Sequence, residues 1–139
     1  MLATVALLAA TAVGQNKTAE QRDEGFKKEI AAAKWALLGE DMDGIEYHID
    51  ANTMNRVLSI VTFIYKTEKR GTVSYSKVAG GCSQDLFTRS SVMQSNPGVK
   101  GLTGGELDEP IIEEVKKGQV GYVMLDYVCK NAKVMKVDQ

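Results

Sequence analysis

Between Arg56 and Thr67 the chain reads RVLSIVTFIYKT, a stretch that is apolar on both sides when laid out as a strand. Val57, Val61, Phe63 and Tyr65 fall against Leu58, Ile60 and Ile64. A strand with two apolar faces belongs in the middle of a sheet, covered above and below. The chain must therefore supply two covering layers. The C-terminal segment GQVGYVMLDYVCKN is apolar enough to be one of them. The other is expected from an N-terminal helix or from a second subunit. An unused apolar sheet face is a common route to dimers, so a homodimer stays open at this point.

The segments around this strand read as a meander. IEYHID alternates, with Ile45, Tyr47 and Ile49 on one side and Glu46, His48 and Asp50 on the other, as in a half-buried strand. Before it, EDMDG is a turn carrying the Asp43-Gly44 pair that tolerates positive φ. After the central stretch, EKRG turns the chain into TVSYSKVA, with Val73 and Tyr75 inward and the serines outward. GGCSQ is a second turn leading into QDLFTRSSVMQS. NPGVKGLTGGELDEP reads as a glycine-rich loop closed by Pro110, and IIEEVKK as a last short strand. Short connections between successive strands argue for an antiparallel sheet.

Upstream, Thr18 and Gln21 have capping-box spacing, and Phe26, Ile30, Ala33 and Leu37 draw one apolar stripe. A helix is expected there, and WALLG at Trp35–Gly39 could equally open the first strand. The GQVGYVMLDYVCKN segment suits a buried helix or a strand by pattern alone. At 139 residues the chain is one domain, long enough to bury a core of its own.

The first residues, MLATVALLAATAVGQN, set the compartment. Residues 2–13 carry no charge, and Ala12 and Gly14 are spaced for signal-peptidase cleavage before Gln15. Residues 1–14 are thus read as a signal peptide, with a buried N-terminal helix as the alternative. The run is shorter than the roughly 20 apolar residues a bilayer span needs. No cysteine lies beside the cleavage site, so lipid attachment is not expected there. Export places the protein in the periplasm or outside the cell.

In an oxidising compartment the two cysteines have one internal pairing, Cys82–Cys129. That disulfide is the expectation, with two buried free thiols as the alternative. Neither redox spacing nor zinc spacing is present, and His48 is the single histidine. No metal, cofactor or catalytic residue is assigned. Glu46, His48 and Asp50 share a strand face, but same-face positions stand about 6.5–7 Å apart, too far to converge without bending. DMDGIE holds part of a calcium-loop pattern, yet Ile45 stands where an oxygen ligand belongs. GVKGLTGGE lacks the lysine and hydroxyl that close a phosphate cradle. The net charge of −1 gives no basic footprint for nucleic acid. The acidic block from Glu106 to Glu114 and the lysines after it read as solvated loop and tail.

Taken together, the order and spacing of Trp35, Tyr47, Asp50, Cys82, Gly118 and Cys129 resemble the surface-adhesin protein E family of bacterial envelope proteins. The resemblance runs from about Lys34 to Lys130 and rests on order rather than on any one sharp motif. It implies an antiparallel sheet packed by a C-terminal helix, with the two cysteines bridging sheet and helix. The family name refers to attachment to host extracellular-matrix proteins.

The expected organisation is then a signal peptide at 1–14, a helical segment at 15–34, an α+β domain at 35–131 and a flexible tail at 132–139. The expected function is that of an exported, non-enzymatic domain binding another protein. An inhibitor or immunity protein that plugs a hydrolase, using the loop at 98–105, is the alternative.

Overall fold

Thr18 opens the first helix as its sequence spacing predicts. In the computed structural model, which describes residues 17–83 and 85–136, the Thr18 hydroxyl accepts from the Gln21 amide, and the Gln21 side chain accepts from the Thr18 amide. Helix α1 follows as Ala19–Ala31. The segment read as a signal peptide lies outside the described residues.

The strands are β1 (Trp35–Glu40), β2 (Glu46–Asp50), β3 (Asn55–Val57), β4 (Ile60–Lys69), β5 (Thr72–Gly81), β6 (Leu86–Ser95) and β7 (Thr103–Glu114). Helix α2 is Val120–Asn131, and a two-residue strand β8 (Lys133–Val134) closes the described chain. The fold is α+β. The main sheet path runs β1-β2-β4-β5-β6-β7 with antiparallel neighbours throughout. β8 alone pairs in parallel, on the outer side of β3.

The central stretch is not one strand. It folds back at Leu58-Ser59, so that Val57 pairs with Ile60 across a two-residue loop. Leu58 takes a φ of 56°, an unusual conformation for a branched apolar residue, and is left 76% exposed. Apolar pattern cannot distinguish one long strand from two strands joined so tightly. β2 and β3 then follow one another along the same edge of β4. The next turn, Arg70-Gly71, has positive φ at both loop residues, as a tight hairpin with matched twist requires.

The prediction that β4 is covered on both faces holds for its middle. Val61, Phe63 and Tyr65 join Ile49, Val78 and Phe87 beneath Met124, Leu125 and Val128 of α2. On the opposite face Ile64 and Met93 pack under Phe26 of α1, with Ile30, Trp35 and Tyr75 around them. Each such side chain taken out of water contributes about 1.5–3 kcal/mol. The N-terminal helix therefore takes the place at which a second subunit was the other option.

Other boundaries move. Ala33 and Leu37 are not on the helical stripe, because α1 ends at Ala31 and Leu37 lies on β1, 59% exposed. The serines of β5 do not all face outward: Ser76 is buried beside Tyr65. Gly80 and Gly81 end β5 rather than forming the turn. The presumed loop through Pro110 is mostly strand: β7 begins at Thr103, and Pro110 sits where the pairing skips from Ser91↔Glu106 to Arg89↔Ile111. An edge strand with a bulge is the place in a sheet where proline fits. Residues 133–135 are not a free tail, since the Lys133 amide donates to the Met54 carbonyl and the Met135 amide to Arg56.

Candidate functional site

The two cysteines are joined. Cys82, just past the end of β5, forms a disulfide with Cys129 in the last turn of α2, Cα to Cα 5.8 Å. Arg56 adds a second tie, donating from Nη1 to the Cys129 carbonyl at 2.9 Å. The cross-link thus holds the closing helix to the sheet, and no free cysteine exists among the described residues.

The Glu46, His48 and Asp50 face does not assemble as a site. Asp50 is fully buried, and its carboxylate accepts from the Lys34 amide (2.8 Å), the Asn52 amide (3.0 Å) and the Thr53 hydroxyl (2.9 Å). It pins the start of β1 to the joint between β2 and β3. His48 is largely covered rather than solvated, its side chain 16% exposed, with Nε2 4.0 Å from Glu46 and Nδ1 buried without a partner. Among the described residues no three histidine, cysteine or acidic side chains are grouped to hold a metal ion.

DMDG is the β1–β2 turn, with Gly44 at a φ of 80°. Asp41 organises it, accepting from the Asp43 amide at 2.9 Å, the Ile45 amide at 3.0 Å and the Tyr47 hydroxyl at 3.3 Å. The Ile45 amide, followed by those other donors, holds the Asp41 carboxyl below the usual carboxylate range, with burial opposing. Burial, with the Asp41 charge next, pushes the Tyr47 phenol above its usual value.

That turn forms one wall of a cleft of about 570 Å³. Glu113 and Glu114 of β7 and the start of α2, from Gly118 to Gly121, form the other sides. The floor is aromatic. Tyr47 and Tyr65 stack with ring centres 6.5 Å apart, and Phe87 and Met124 continue the surface. Arg89 lies at the base, donating from Nη2 to the Tyr65 hydroxyl at 2.6 Å and standing 3.1 Å from Glu113 Oε1. Its buried Nε has no protein partner.

Sequence reasoning missed this cleft. Its walls come from four segments far apart in the chain, and Glu113 and Glu114 were read as part of a solvated acidic block. Only the three-dimensional pairing of β6 with β7 places Glu113 beside Phe87 and Arg89. The 98–105 segment, the suggested probe, is split. Gly98 and Gly101 lie in a loop with φ of 77° each and Val99 half exposed, while Thr103 to Gly105 belong to β7.

No helix among the described residues is long and apolar enough to cross a membrane. No family model matches the chain, and neither a curated protein nor a solved structure shows significant similarity to it.

Proposed function

We propose that the protein is an exported, non-enzymatic domain that binds another protein, similar in role to the surface-adhesin E proteins it resembles. The observation carrying this reading is the Cys82–Cys129 disulfide. Such a cross-link persists in an oxidising compartment, and a protein held together this way works outside the cytosol. The apolar leader supports the same compartment. On β2, Asp50 is engaged by structural hydrogen bonds and His48 is largely covered, while Glu46 stays half exposed 4.0 Å from His48, an arrangement that supports a non-catalytic reading of this face. The test is a pull-down with the processed, disulfide-bonded protein from extracellular or envelope fractions. A single saturable protein partner supports the reading; a turnover activity abolished by His48→Ala overturns it.

The second reading is an inhibitor or immunity protein in the periplasm. The half-exposed Val99 between two left-handed glycines favours it, since a short turn with an apolar tip is a shape that enters an enzyme cleft. Activity of a lysozyme panel with and without the protein separates the two.

A further inference from the structure

We propose that the cleft between the β1–β2 turn and the start of α2 is the docking site for a lysine- or arginine-bearing segment of a protein partner. The inference rests on the protein-binding reading above and names its surface and the chemistry of its occupant.

Charge complementarity carries it. Glu40, Asp41, Asp43, Glu113 and Glu114 line the cleft against one basic residue, Arg89. Arg89 is occupied by Glu113 and the Tyr65 hydroxyl. The other four carboxylates make no salt bridge among the described residues. Four carboxylates without a salt bridge around one concavity, set against Arg89 and the charge of Lys69 near Asp41, leave the cleft net negative, and a positive group entering from solvent is drawn to it. Asp41 is held in place by three donors and stays ionised below the usual range, so this part of the rim is preorganised. The floor suits the same occupant. The Arg89 guanidinium already lies over the Tyr65 ring, 5.9 Å from its centre, so Tyr47 is the aromatic face left for an incoming cation, and the apolar floor packs the aliphatic stem of a long basic side chain. Met42, fully exposed on the rim, offers an adaptable apolar contact beside the charge.

An acidic peptide or a phosphate-bearing partner would meet the same carboxylates as like charges, which excludes them as occupants. The wide mouth of the cleft fits a side chain carried on a protein loop better than a fully enclosed small molecule.

The experiment is an amide-resolved NMR titration of the disulfide-bonded protein with hexa-arginine and, separately, hexa-glutamate, at physiological salt. It is repeated on the triple variant Glu40→Gln, Asp43→Asn, Glu114→Gln, whose substitutions are at exposed positions with no hydrogen bond from those side chains to lose. The expected result is saturable shifts at 41–47 and 118–121 with hexa-arginine, none with hexa-glutamate, and at least tenfold weaker binding to the variant. Shifts spread over α1 and the rest of the surface, equal binding to the variant, or no binding overturns the proposal. A partner captured in the pull-down that binds the variant as tightly as the parent overturns the cleft alone and leaves the protein-binding reading standing.

Discussion

Leu125 of α2 occupies the space a side chain on Gly80 of β5 would need. A Cβ built on Gly80 comes within 2.7 Å of the Leu125 Cδ1, with the Leu86 carbonyl at 3.3 Å and Phe87 at 3.4 Å. The absence of a side chain at Gly80 is what lets α2 lie close to the sheet beside the disulfide. Gly80→Ala is expected to destabilise by about 1–3 kcal/mol, as overpacking of a filled core does. Gly39→Ala, where nothing lies within 4 Å, is the control and should cost far less. Urea midpoints of the two variants check the difference, and a Gly80→Ala protein as stable as the parent would contradict the packing described.

The disulfide spans 47 residues of sequence. Loop-closure entropy for that length corresponds to about 4 kcal/mol. Cys82→Ala with Cys129→Ala should therefore lower unfolding free energy by roughly that amount, a large share of what an ordinary domain has. Intact mass after alkylation without reductant should register no added groups on the native protein. Two added groups would mean the sulfurs are free in solution, and the compartment argument would fall with them.

How far the chain was legible follows from which physical signals are local. Thr18 and Gln21 are three residues apart, so the capping box was readable; the half-buried alternation expected of β2 was not met, because Asp50 and His48 on its supposed outer side are covered as well as Ile49. The hairpin at Leu58-Ser59 was not readable, because Leu58, the residue that takes positive φ, is not a usual turn former and a lone serine inside an apolar run is a weak signal. Pro110 and the glycines before it marked a loop by composition, yet β7 accommodates them at an edge with a bulge. The identity of α2 as helix came from family resemblance, since its pattern is apolar on more than one side. The cleft was invisible: Asp41, Arg89, Glu113 and Gln119 share no local pattern and meet only through tertiary pairing.

Asp50 is the joint of the N-terminal half, and its removal tests that role. Asp50→Ala leaves the Lys34 amide, the Asn52 amide and the Thr53 hydroxyl without their acceptor at a part-buried site. Each orphaned donor costs about 1–3 kcal/mol, offset in part by relaxation. The expected loss is larger than that for Gly80→Ala, with hydrogen exchange accelerated first at β1 and at the β2–β3 joint. Uniform acceleration across β5 and β6 as well would place the effect on the whole fold instead.

Titration offers a separate handle on the turn that walls the cleft. Asp41 has a folded-state pKa below its unfolded one, held down first by the Ile45 amide; Glu68 and Glu106 are likewise lowered, by Lys66 and Arg22. Depressed carboxyls contribute stability that is present above their unfolded values, about pH 4. That stability is lost as pH falls through the lower folded values, so the urea midpoint should be flat above about pH 5 and decline below it. Tyr47 works at the other end. Its raised pKa contributes stability that is complete below the ordinary phenol value of about 10 and is lost as pH rises through the higher folded value. Asp41→Asn removes a negative charge beside Tyr47, although burial, the larger cause, remains. An absorbance titration of the tyrosines should therefore place one late-ionising phenol in the parent and bring it down in Asp41→Asn without making it ordinary. Identical titration curves for the two proteins would mean that Asp41 and Tyr47 are not in contact in solution.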